Sequence, residues 1–178
     1  MIFSELNTSS LYMVFLVSLL FSCRRENPPV SEENYRATKD QMIEINRLLV
    51  KKDRQRIIGY LQRQDLTMKE SETGLWYTIE VEGDGLDAST GRRAAINYKI
   101  SLLDDTECYN SDEDGPKTFT IGRGGVESGL EEGILLLREG GKARFIMPPY
   151  LAHGLPGDGN RIPARAIIVY DVQLISIE

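Results

Sequence analysis

A change of period at Leu75 constrains this fold more than any other feature. Downstream of it, LWYTIEVE and AAINYKISLL alternate or run apolar, rich in β-branched and aromatic residues, with Gly, Asp, Ser and Thr turn signals between them. Side chains that alternate with period two bury one face of a sheet. KTFTI supplies a third strand, KARFIMP a fourth, and AIIVYDVQLISIE a long closing one. Between them ESGLEEGILLLREGG is spaced as a helix: Leu130, Ile134 and Leu137 share one face, and Gly140-Gly141 ends it. The pattern predicts an α+β domain over 72–178, an antiparallel sheet wrapped around one short helix. The concave face between sheet and helix is expected to be apolar and aromatic.

Upstream, residues 31–71 read as an amphipathic helical segment. Residues 31–66 contain no proline and one glycine, Gly59, and are dense in Glu, Lys, Arg and Gln. Met42, Ile45 and Leu49 fall at helical spacing, and Ile57, Tyr60 and Leu61 continue the stripe after a break near Asp53. One or two helices are expected, serving either as a solvated spacer or as an arm for dimerisation or client contact. The oligomeric state stays open.

The N-terminus reads as an address. Residues 11–22, LYMVFLVSLLFS, form an apolar run shorter than the about 20 residues that span a bilayer, and fit a secretory signal over 1–22. The run ends in Leu20-Phe21-Ser22-Cys23, which resembles a bacterial lipobox and implies lipidation at Cys23. The leading MIFSELNTSS carries no Lys or Arg, a departure from that pattern; an uncleaved anchor or a buried segment are the alternatives. Residues 23–30 are polar with two prolines and read as a tether. Arg24 stands where an inner-membrane retention aspartate would, so the outer membrane is the expected destination in a Gram-negative host.

Several chemistries are excluded. The net charge is −6, a poor match for nucleic acid, whose phosphates require a basic face. One histidine, His153, and two cysteines, Cys23 and Cys108, cannot assemble a zinc set, so no metal is expected. IGRGGVESG lacks the spacing of a dinucleotide loop, and the loop beginning at Asn110 has Ile121 where a calcium loop needs Glu. His153 has no nucleophile elbow. What remains is a pocket.

The stretch from Ala94 onward resembles the FKBP-type peptidyl-prolyl isomerase domain. Its carriers are VESGLEEGILLLREGGKARFIMPPYLAHG and IPARAIIVYDVQLISIE, several blocks agreeing in order and spacing. Together with the lipobox and helical segment, the architecture is similar to gliding-motility-associated FKBP lipoproteins of the Bacteroidetes. The resemblance implies an FKBP-like fold and isomerisation of X–Pro bonds without a cofactor, with proline-containing unfolded or exported proteins as partners. The alternative is a noncatalytic chaperone or scaffold of a motility or secretion machinery.

The resemblance also implies a site. Tyr98 is the wall tyrosine, Tyr109 replaces a phenylalanine and Asn110 an aspartate. Val126 and Glu127 precede the helix and offer backbone contacts, and Leu130 takes the place of a tryptophan floor. His153 stands at the position of a hydrogen-bonding tyrosine, Ile162 at the flap, and Tyr170 at the closing aromatic. Lys117 falls near a pocket phenylalanine and makes that wall more polar.

Overall fold

The computed structural model describes residues 32–178, with side chains from Tyr35 onward. The signal, Cys23 and tether expected from the sequence lie outside the described residues. The chain divides into Met1–Met42 and a compact unit, Ile43–Glu178. Helix α1, Glu32–Arg63, runs without interruption. The break expected near Asp53 is absent: Asp53 is buried and pairs with Arg165 Nη2 at 2.7 Å. A polar residue that looked like a gap in the apolar stripe is thus a tertiary contact.

Seven strands follow: β1 (Lys69–Glu70), β2 (Trp76–Val81), β3 (Arg93–Leu102), β4 (Glu107–Asn110), β5 (Lys117–Thr120), β6 (Lys142–Met147) and β7 (Ile168–Ile177). All pairs are antiparallel, in the order β1-β2-β6-β7-β3-β4, and β5 also pairs with β3. Two short helices interrupt them, α2 (Ser111–Asp114) and α3 (Ser128–Ile134).

The strands divide their side chains between two cores. Ile96 and Ile100 of β3, Phe145 and Met147 of β6, and Ile168, Tyr170, Val172 and Leu174 of β7 enclose α3 through Leu130 and Ile134. Their alternating neighbours Trp76, Ile146, Ile167 and Val169 face the other way and meet Ile57, Tyr60 and Leu61 of α1. Each fully buried aliphatic side chain stabilises the unit by about 1.5–3 kcal/mol.

Helix α3 lies close on β6 because it presents glycine there. A Cβ on Gly133 would stand 2.6 Å from Phe145 Cζ, and one on Gly129 2.9 Å from Met147 Sδ. The helix is shorter than its leucines suggested. It stops at Ile134, Leu135 and Leu136 are exposed, and Leu137 returns to the core after N–H bonds to the carbonyls of Gly133 and Ile134 tighten the chain into turns.

Candidate functional site

The site is built where β3 changes partner. Its first half pairs with β5 and its second half with β4, so residues 111–116 are forced outward between them. Asn110 makes that excursion orderly: its Oδ1 accepts from the Glu113 N–H at 2.9 Å and caps α2, and its Nδ2 donates to Glu107. Gly115 closes α2 at φ 79°, a conformation that suits glycine. Tyr109 and Lys117 are thereby delivered to the same edge of the concave face.

Tyr98, Tyr109, Val126, Leu130, Ile162 and Tyr170, all expected from the sequence, share the front core. Tyr98 and Tyr170 stand with ring centroids 5.9 Å apart at a tilt of 47°. Leu130, the expected floor, is fully buried in the same cluster. Tyr170 is also fully buried, so it belongs to the core as much as to a wall, and burial keeps its hydroxyl protonated far above the ordinary range. Burial raises the Tyr98 hydroxyl in the same direction, with Asp114 and Glu127 adding to it.

The concave face is apolar and aromatic only in part. Lys117 Nζ enters it, donating to the Tyr170 hydroxyl at 2.8 Å and lying 3.7 Å from Glu127 Oε2. The Glu127 side chain makes no capping bond to α3, although it stands at the helix start. It turns inward instead, with His153 Nε2 3.1 Å from its Oε1. That approach is not aligned as a hydrogen bond, and both Nε2 and Glu127 Oε2 are buried without a hydrogen-bond partner. Buried polar atoms of this kind are uncommon and call for an explanation at the site.

Tyr109 packs against the front core and also braces the neighbouring loop. Its hydroxyl donates to Asp158, and the Arg161 guanidinium lies 5.0 Å from its ring centroid while donating to the Cys108 carbonyl at 2.9 Å. Asp158 Oδ1 also accepts from the N–H groups of Asn160 and Ile162, each at 2.8 Å, which fixes the loop carrying Ile162. Burial pushes the Asp158 carboxyl up, but the bonds from Tyr109, Asn160 and Ile162 outweigh it and hold the group below its usual range. Sequence reasoning missed Asp158. The available signal was the Gly157-Asp158-Gly159-Asn160 turn composition, which favours side-chain-to-backbone bonds.

Cys108 is buried, and burial raises its thiol, which makes it an inert core residue. Among the described residues no group of three or more His, Cys, Asp or Glu side chains is arranged to hold a metal ion. No helix among them is long and apolar enough to cross a membrane.

Comparison with known proteins agrees with this fold. Residues 85–175 match the family model of FKBP-type peptidyl-prolyl cis-trans isomerases. The isomerase FkpA of Aeromonas hydrophila is 37% identical over 112 residues, covering 62% of this chain and 41% of the relative. FkpA of Escherichia coli strain K12 is 35% identical over 112 residues, 62% of this chain and 40% of the relative. The matched stretch therefore spans about two fifths of these curated relatives. The crystal structure of Escherichia coli FkpA aligns with TM-score 0.62 at 25% identity, covering 98% of this chain and 84% of that one. That of AtFKBP13 aligns with TM-score 0.59 at 30% identity, covering 63% and 99%.

Proposed function

Because this chain belongs to the family of FKBP-type peptidyl-prolyl cis-trans isomerases, we propose that it accelerates rotation about X–Pro bonds in protein clients. The observation that carries the proposal is the paired rings of Tyr98 and Tyr170 in one apolar cluster with the buried Leu130. Amide resonance opposes the rotation with a barrier of about 18–20 kcal/mol. The twisted amide has lost its charge separation, so a desolvating cup favours it over the planar form that water stabilises. No bond breaks, and neither a nucleophile nor a metal is required. Backbone groups of Val126 and Glu127 would hold the peptide, with His153 beside them and Ile162 closing the flap. Each tenfold acceleration needs about 1.4 kcal/mol of preference for the twisted state.

Clients exported past the inner membrane, and a lipid anchor on Cys23 at the outer membrane, belong to the same proposal. Their support is the sequence of residues 11–23. The mass of the mature protein from membranes tests the anchor: a diacylated Cys23 at the N-terminus supports it, and an unmodified chain refutes it. A second reading, a noncatalytic chaperone or scaffold of a motility or secretion machinery, is favoured by one observation: the Lys117 ammonium lies over both cup rings.

Isomerisation of an Ala-Leu-Pro-Phe-type peptide separates the two readings. Acceleration well above background that Tyr98→Leu lowers supports catalysis in the cup; a folded protein with no acceleration supports the scaffold.

A further inference from the structure

We propose that Lys117 is a displaceable occupant of the cup, an affinity-determining residue whose ammonium holds the place a substrate prolyl ring must take. The inference rests on the isomerase reading and names what limits binding at that same site. Lys117 opens β5. Its Nζ stands 4.9 Å from the Tyr98 ring centroid and 5.4 Å from that of Tyr170, while the two centroids are 5.9 Å apart. The three positions form a nearly equilateral triangle, so the ammonium sits over both rings at once and covers the faces a ligand would use. About a quarter of the side chain is exposed, at 27%.

An ammonium leaves water only where other groups replace its hydration. Here two aromatic faces, the Tyr170 hydroxyl at 2.8 Å and the Glu127 carboxylate at 3.7 Å do so. A lysine on a flexible four-carbon stem would otherwise extend its head to solvent. The inward position is therefore selected by these partners. A prolyl ring is apolar and neutral and seeks the same aromatic faces. It offers nothing to Glu127 Oε2, which is buried without a hydrogen bond. Ring and ammonium thus exclude one another, and substrate must expel the lysine before it can bind. Such a cost falls on ground and transition states alike, so it raises KM and leaves kcat nearly unchanged.

Two measurements on the full chain test this. Protons flanked by ring faces resonate upfield, so the Lys117 ε-methylene signals, assigned by their loss in Lys117→Ala, stand upfield of the other lysines. Titration with an Ala-Leu-Pro-Phe-type peptide returns them toward the exposed-lysine position. In the isomerisation assay, Lys117→Ala lowers KM about tenfold, equivalent to about 1.4 kcal/mol. Because that variant strands the Glu127 carboxylate, Lys117→Ala with Glu127→Gln removes both charges and serves as the second variant. Lys117 signals that stay upfield at saturating peptide while isomerisation proceeds, or a KM unchanged or raised in both variants, overturn the occupant role alone. Absence of both peptide binding and acceleration in wild type and variants overturns the isomerase reading, and the occupant role with it.

Discussion

The two faces of the sheet are built from alternate residues of the same strands, yet they carry opposite chemistry. On the back, Trp76, Ile146, Ile167 and Val169 meet Ile57, Tyr60 and Leu61 of α1, and the buried Asp53 is matched by Arg165. On the front, Tyr98, Tyr170 and Leu130 frame a cup that holds Lys117, Glu127 and His153, with buried polar atoms left without hydrogen bonds. A face that only stabilises can satisfy every group it buries. A face that must admit a ligand retains groups whose partners arrive or leave with it. Stability and activity should therefore separate by face.

The largest expected effect is on stability. Phe145→Ala empties the ring that packs on Gly133 and costs about 4 kcal/mol, and Ile57→Ala on the back costs about 3 kcal/mol, both read from urea unfolding. Residual folded Phe145→Ala should be impaired in isomerisation, whereas folded Ile57→Ala keeps its rate. Equal losses of rate in the two variants would break the comparison.

Arg165→Ala comes next. Asp53 keeps 6% side-chain exposure, and removing Arg165 leaves it only the looser Arg56 contact at 3.8 Å. Because Arg165 is itself 31% exposed, the loss is about 2 kcal/mol, below the about 3–5 kcal/mol of a fully buried pair. Arg165 also holds φ 55°, so Arg165→Gly relieves the backbone while removing the same ion pair, and should be the milder variant. Arg165→Gly as damaging as Arg165→Ala would show that the backbone carries no strain there.

Tyr109→Phe is the smallest, about 1 kcal/mol for a hydrogen bond to a partly exposed acceptor. Its signature is in pH. The Asp158 carboxyl is held below its unfolded value, so its contribution is present above the ordinary aspartate range of about 3.9 and is lost as pH falls through the folded value. Tyr109→Phe removes one cause of that depression, so the variant should lose less stability than wild type on acidification below about pH 4. Parallel acid profiles would exclude Tyr109 as a determinant of the loop.

Much of this was legible in the sequence. Period-two runs located the long strands because their alternation is the division of side chains between two cores. β4 and α2 escaped, since four residues each carry too little periodicity, and Asn110 is recognisable as a cap only once the β3 partner change is known. The extent of α3 was overread because Leu135 and Leu136 look like core, although both are exposed. Asp53 misled for the converse reason, its partner lying 112 residues away. Lys117 was visible as a polar wall residue, but its place over two rings depends on side chains from three separate strands.

The most direct test of the account is exchange NMR of a proline peptide's cis and trans signals in the presence of wild type, Tyr98→Leu and Ile57→Val. Wild type should accelerate the exchange, with a loss of about tenfold in Tyr98→Leu and none in Ile57→Val when both variants are folded. Acceleration that survives Tyr98→Leu but falls with Ile57→Val would contradict this and move the site to the other face.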